Sequence, residues 1–165
     1  MKTWLLFLAL VLPIGAHAEV QLGPSISFLS IPQPLSLGLN LKSNNSMWYA
    51  SFGAFRTLYN NEYPIRLSHQ SVGYNYDFQY LFLGLQTGHQ KSKVIDGSGL
   101  VESFYVMPKI GKEWIVNKVF LQTEVGLMFH KHIREEGSIM EIKSMERFSK
   151  GSTLSFTILR IGYYF

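Results

Sequence analysis

The C-terminal stretch from Ser152 to Phe165 constrains the fold of this chain more than any other. Counted in twos from the terminus, its two faces carry Phe165, Tyr163, Ile161, Leu159 and Thr157 on one side, and Tyr164, Gly162, Arg160 and Ile158 on the other. This period of two is typical of a β-strand. One face is apolar and aromatic, while the other holds a charge and a glycine, which is the pattern of a strand that spans a membrane in a barrel.

The N-terminus predicts export. Met1-Lys2-Thr3 is positively charged, Trp4 to Leu12 is apolar, and Ala16-His17-Ala18 matches a cleavage site, so residues 1–18 are expected to be a signal peptide and residues 19–165 the folded domain. A retained anchor is the alternative, but a spanning helix needs roughly 20 apolar residues. The absence of cysteine excludes disulfides and a cysteine-linked lipid anchor.

Composition argues against an ordinary soluble domain. Aromatic residues make up 15% of the chain and charged residues 16%, whereas a soluble domain carries about 25% charge. After the signal peptide no apolar run reaches helix-spanning length, and a barrel resolves this conflict because its apolar residues occupy every second position. The net charge of +4 is too small to indicate a nucleic-acid partner.

Alternation of apolar and polar residues predicts eight strands. They cover residues 20–29, 35–42, 47–59, 65–76, 79–88, 100–115, 119–132 and 152–165. The second, fourth and sixth connections are short and the third, fifth and seventh longer, with 89–99 and 134–151 expected as loops. We therefore predict an all-β fold, an eight-stranded antiparallel up-and-down transmembrane β-barrel. The faces of 47–59 stay unassigned, and a soluble sandwich or lipocalin-like barrel is the rival fold.

Five charged residues fall on the predicted inward face, namely Asp77, Lys109, Glu113, Glu124 and Arg160. The sixth, seventh and eighth strands are neighbours, so Glu124 is expected between Lys109 and Arg160. Buried charges need partners. A packed ionic network is the favoured interpretation, and a gated or narrow ion path is the alternative.

His130 and His132 share one face near the outer end of the seventh strand, where histidine could act as a base or bind metal with His69 or His89. The position resembles the outer-membrane lipid A deacylases of the PagL type, which have a His-x-Ser pair late in the chain and a downstream Glu. Here Lys131-His132 follows His130 and the serine is missing, and no motif selects among Glu135, Glu136 and Glu141. The catalytic candidates are thus His130, His132 and Glu135, and we favour a non-enzymatic protein.

The last loop mixes basic and acidic residues. Lys131, Arg134, Lys143, Arg147 and Lys150 could bind phosphate groups of lipopolysaccharide, although a solvated loop is the favoured interpretation. Aromatic residues near one set of strand ends predict an interfacial girdle, formed by Trp48, Tyr49, Tyr74, Tyr76, Trp114, Tyr163 and Phe165.

Over residues 19–165, the pattern, the signal peptide and the last strand resemble the small eight-stranded bacterial outer-membrane proteins of the OmpX and OmpA-barrel type. This resemblance implies a Gram-negative outer-membrane location, insertion by the barrel-assembly machinery, and a structural, adhesion or surface-interaction role. It also implies an assembly signal, expected at Leu159, Ile161, Gly162, Tyr163 and Phe165. We expect a monomer in contact with outer-membrane lipids and lipopolysaccharide, without cofactor or metal. A PagL-like hydrolase and a narrow, porin-like pore are the alternatives.

Overall fold

The structure is a computed structural model that describes residues 20–31, 35–59, 63–146 and 151–165. The predicted signal peptide, residues 1–18, lies outside the described residues. Among those that are described, no helix is both long enough and apolar enough to cross a membrane.

Eight antiparallel strands close into one ring. Their bounds are β1 Val20–Ile31, β2 Leu35–Ser43, β3 Ser46–Tyr59, β4 Tyr63–Asp77, β5 Phe82–Val94, β6 Leu100–Val116, β7 Val119–Glu136 and β8 Gly151–Tyr163, with a helix, α1 (Ile139–Glu146), between β7 and β8. Each strand pairs with its neighbour in sequence, and β1 pairs with β8. The predicted up-and-down barrel is confirmed, and closure leaves no strand edge unpaired.

Apolar side chains point out of the barrel, as the alternation predicts. Leu35, Leu37 and Leu39 on β2 are about half exposed, and so are Leu83 and Leu85 on β5. On the same two strands, polar residues of the opposite parity point inward and are buried, for example Asn40 and Gln86. A soluble barrel would reverse this arrangement, because its apolar face must be hidden from water.

The structure assigns the faces of β3, which the sequence left open. Met47, Tyr49 and Ser51 point inward and are buried, whereas Trp48 and Phe52 point outward. The inclusion of Tyr49 in the aromatic girdle was therefore wrong. The girdle prediction holds better at Trp48 and Tyr74, whose ring centroids are 4.4 Å apart, and at Tyr163 and Phe165, whose ring centroids are 5.3 Å apart.

A β-bulge breaks the parity of β8. Gln122 pairs with Arg160 and Glu124 with Thr157, so Ile158 and Leu159 together oppose the single residue Thr123. A bulge of this kind adds one residue to one strand and shifts the alternation. Thr157, predicted to face outward, is consequently buried, and Ile158, predicted inward, is 52% exposed.

The two ends of the barrel differ. At the turn end, β2–β3 and β6–β7 are joined by two residues each, and Asn44 (φ 51°) and Asn117 (φ 58°) take the left-handed conformation that asparagine tolerates. At the opposite end, the loop end, β5 continues to Val94, so the prediction of a loop over 89–99 was wrong for its first six residues. The expected loop over 134–151 contains α1.

Candidate functional site

A buried ion cluster occupies the middle of the barrel. Lys109 on β6 forms an ion pair with Glu124 on β7, and their side chains are 0% and 4% exposed. The Nη2 of Arg160 on β8 donates to the other carboxylate oxygen of Glu124 at 3.1 Å. The structure thus brings together three of the five charged residues that the sequence places inside, with the carboxylate between the two cations.

Neighbouring polar groups complete the cluster. The Nε of Arg160 donates to Ser27 Oγ at 3.0 Å, its Nη1 to Gln122 Oε1 at 3.3 Å, and Thr157 Oγ1 donates to Glu124 at 3.3 Å. Thr157 reaches the carboxylate only because of the bulge. Charged groups buried in this way stay stable when their remaining donors and acceptors are used, so the cluster fits a structural role.

The cluster holds two cations for one carboxylate, and an aromatic ring lies against both of them. The ring centroid of Tyr49 is 4.3 Å from Lys109 Nζ and 4.9 Å from the Arg160 guanidinium carbon. Such contacts stabilise a desolvated cation by about 2 kcal/mol. Gly73 on β4 makes room for the phenol, because a Cβ at that position would clash with the ring. Sequence reasoning missed Tyr49 in this site because both parities of β3 carry large residues.

The other two predicted lumen residues lie elsewhere. Glu113 pairs with Lys42 of β2 near the turn end, and Tyr164 Oη donates to it at 3.3 Å. Asp77 ends β4, where its Oδ1 accepts the backbone N–H of Gln79 at 2.8 Å and so stabilises the β4–β5 turn. Neither residue joins the central cluster.

The predicted assembly residues end β8 at the turn end. Leu159 and Ile161 are partly exposed, and Tyr163 and Phe165 are exposed on the outer face. Gly162 instead faces inward, where a Cβ would clash with the ring of Phe120. The backbone N–H of Phe165 donates to Leu22 O at 2.9 Å, which ties the terminus to β1. Their role as a signal stays a prediction.

The histidine pair divides between two environments. His132 pairs with Glu135 near the loop end, whereas His130 turns inward, with its ring centroid 5.8 Å from that of Tyr105. The Nδ1 of His130 is 3.5 Å from the hydroxyl of Ser103, which faces it from β6. Sequence reasoning missed Ser103 because the two residues are 27 positions apart and only the β6–β7 pairing joins them.

This group lies inside the barrel. Ser103 is 0% exposed and faces the interior, so an ester of a surrounding lipid would have to enter the barrel to reach it. His69 is also buried, on β4, and Gln90 on β5 lies between it and Ser103 in the register. In the described part of the chain, no group of three or more His, Asp or Glu residues is placed to hold a metal ion.

At the loop end, α1 packs against three strands. Met145, which is 0% exposed, packs among Ile65, Leu67, Val94 and Val101 from three strands. The helix begins with a capping box. Ser138 donates its backbone N–H and its hydroxyl to Glu141 Oε2, both at 2.9 Å, and Glu141 N–H points back to Ser138 Oγ at 3.4 Å. These bonds to the charged form lower the pKa of Glu141.

Three of the five basic residues that the sequence offered for lipopolysaccharide are among the described residues. Arg134 pairs with Glu136 at 2.5 Å and Lys143 is exposed on α1. Lys131 points outward from β7, next to Phe104 of β6. Arg147 and Lys150 lie outside the described residues. The three described residues thus lie on two elements, β7 and α1, and their binding of lipopolysaccharide stays a prediction.

No protein-family model matches this sequence. A search of the curated proteins gives no match either. Among solved structures, the crystal structure of Neisserial surface protein A is similar, with a TM-score of 0.54 at 12% identity over 90% of this chain and 99% of that one. The fold is that of a small eight-stranded outer-membrane barrel. At this identity the similarity concerns the fold alone, and it confirms the fold that the sequence predicted.

Proposed function

We propose that this protein is a non-enzymatic outer-membrane barrel with a closed interior, and that it works through its outer surface. The turn end then faces the periplasm and the loop end the outside. An outward apolar face on every side of the ring, together with aromatic side chains near the turn end, supports insertion in a bilayer. Export, insertion by the barrel-assembly machinery and a monomeric state belong to the same proposal.

The packed interior carries this proposal. The Lys109–Glu124–Arg160 cluster and the ring of Tyr49 lie buried in the interior, and Met145 packs against β4, β5 and β6 at the loop end. Eight strands enclose a space that side chains just fill. A pore would need a continuous wet path, which these buried groups interrupt, so a structural or surface-interaction role is favoured over conduction.

Planar-bilayer recording tests the closed interior. The folded protein should give no discrete current steps. A variant that carries both Glu124→Ala and Met145→Ala removes buried side chains from the interior and serves as the comparison. Regular steps from the unaltered protein would contradict the proposal. Density-gradient fractionation of cells and a heat-modifiable gel shift test the location, and recovery of the protein in the soluble fraction would contradict it.

Exposed apolar side chains at the loop end support a surface interaction. Ile139 and Met140 on α1 are 74% and 73% exposed, and Ile133 on β7 is 61% exposed. Each lies within two positions of a charged residue in the sequence. Exposed apolar side chains in such a place are typical of contact surfaces.

A lipid hydrolase is the second candidate, and the contact between His130 Nδ1 and Ser103 Oγ favours it. Mass spectrometry of lipid A from cells with and without the protein tests it directly. An acyl chain lost only when the protein is present, and restored by His130→Ala or Ser103→Ala, would establish the hydrolase. An unchanged acyl pattern is the outcome that we expect.

A further inference from the structure

Three basic side chains from three strands lie side by side on the outer wall. Arg56 on β3 pairs in register with Arg66 on β4, and Arg66 pairs with Lys93 on β5. All three side chains are exposed and point away from the interior. We call them the basic row. They are far apart in sequence, so only the strand register reveals the row.

The basic row lies beyond the apolar wall. Towards the turn end, the next large apolar outward side chain is Phe52 on β3, Val72 on β4 and Leu85 on β5, at two, three and four outward positions from the row. Phe52 and Arg56 are four positions apart, or about 13 Å along a strand and about 10 Å along the membrane normal at the usual tilt. A headgroup layer is about 5–8 Å deep on each side of the hydrocarbon, so Arg56 is the member of the row nearest to it.

Small side chains lie directly beneath the two arginines. Ala54 and Ser68 form the next outward register pair towards the turn end. They leave space against the wall below the guanidinium groups, so a headgroup could approach from the side. Lys91 continues that lower register row on β5.

Within the part of the chain that the structure describes, the basic row lacks the counterions that its neighbours have. Lys91 in the lower row forms an ion pair with Glu102 at 3.0 Å, and Arg134 pairs with Glu136. Among the described residues, Arg56, Arg66 and Lys93 have no such partner. Like charges that face each other across a sheet destabilise it. A bound anion would turn this repulsion into attraction.

We propose that the basic row binds the phosphate groups of an outer-leaflet glycolipid of the lipid A type. Arginine holds phosphate through two parallel hydrogen bonds, and lysine adds a point charge. The row faces sideways from the wall, with Arg56 nearest to headgroup level, which favours a phosphate carried by a membrane lipid over one from solution. This inference rests on the proposed membrane location, and it names the surface that meets the lipid.

The test compares two triple variants of the folded protein in uncharged detergent. The row variant is Arg56→Gln, Arg66→Gln and Lys93→Gln. The loop variant, Lys143→Gln, Arg147→Gln and Lys150→Gln, removes the same charge from the segment of the chain between β7 and β8. Native mass spectrometry measures binding of diphosphorylated lipid A, of lipid A without phosphates, and of inorganic phosphate. A heat-modifiable gel shift establishes that each variant is folded.

We expect the row variant to bind diphosphorylated lipid A at least about tenfold more weakly, since one charge-assisted contact is worth about that factor. The loop variant should stay within about twofold of the unaltered protein, and high salt should weaken binding. Without lipid, the row variant should be as stable as the unaltered protein or more so, because the repulsion is gone.

Three results would overturn the inference. The first is equal affinity of the row variant and the unaltered protein for diphosphorylated lipid A. The second is a loss of affinity in the loop variant alone. The third is competition by inorganic phosphate as strong as that of the lipid, which would assign the row to a soluble anion. A soluble protein that still bound lipid A through the row would contradict the membrane location but not the phosphate site.

Discussion

Arg160 and Glu124 meet at 3.1 Å between β8 and β7, at the place where β8 carries an extra residue. The bulge lets Arg160 and Thr157 point inward although they are three positions apart. Regular alternation would send one of them outward. The charge cluster therefore depends on an irregularity of the backbone as much as on its side chains.

Replacement of the central carboxylate should destabilise the barrel strongly. Glu124→Gln leaves Lys109 and Arg160 buried beside each other without a counterion, and breaking a buried pair in this way costs about 3–5 kcal/mol. The midpoint of the heat-modifiable transition in detergent measures the loss. Glu102→Gln is the control, since its partly exposed pair with Lys91 should be worth no more than about 1 kcal/mol. Equal midpoints for the two variants would show that the cluster contributes little.

Removal of the bulge should be tolerated, whereas a deletion outside it should not. Deletion of Ile158 leaves Leu159 as the single partner of Thr123 and puts Thr157 and Arg160 two positions apart, so regular alternation keeps both inward. Deletion of Leu154, in the regular part of β8, forces the residues on one side of it to change faces. We expect a folded band after refolding in detergent for the first deletion and none for the second. A Leu154 deletion that folds, or an Ile158 deletion that does not, would contradict this account of the bulge.

Loss of the apolar contact of α1 should free the helix and leave the barrel intact. Burial of a methionine such as Met145 is worth about 2–5 kcal/mol against alanine, but here it anchors only one short helix. Met145→Ala should speed limited proteolysis between β7 and β8 without lowering the midpoint of the barrel. Met140→Ala, at an exposed position of the same helix, should be cleaved at the unaltered rate.

Acid should loosen the start of α1. Hydrogen bonds from Ser138 lower the pKa of Glu141 below its usual value near 4.5, so the stabilisation is present above that pH and is lost as the pH falls through the lowered pKa. The chain has no cysteine, so a spin label on Met140→Cys reports on α1 alone. Its mobility should rise at acid pH, and in a Glu141→Gln background it should already be high at neutral pH. A mobility that ignores both changes would contradict the capping role.

Deletion of Phe165 should reduce the amount of protein in the outer membrane. The aromatic terminus is the predicted assembly signal, and its backbone N–H bonds to Leu22. Phe165→Tyr is the control, because it keeps an aromatic end. Cell fractionation measures both levels. Normal levels of the deletion variant, with the same stability in detergent, would remove the assembly role.

Much of the fold could be predicted from the sequence, since a period of two is a local property that each strand shows by itself. The faces of β2, β5, β6 and β7 follow from it directly. It fails at β3, where Tyr49 and Trp48 are both large, and at β8, where the bulge is invisible in the residue types. The predicted loop over 89–99 was wrong in its first six residues, because a strand that continues beyond the apolar belt is polar and its sequence resembles that of a loop.

The sequence by itself determined the class of fold, the presence of charges inside the barrel, and the pairing of Glu124 with residues from two neighbouring strands. Only the tertiary structure decided that Glu113 pairs with Lys42, that Ser103 faces His130, and that Arg56, Arg66 and Lys93 form a row. The reason is physical. Inward and outward positions depend on neighbours along the chain, but register depends on hydrogen bonds between strands, and a shift of one residue moves every cross-strand contact.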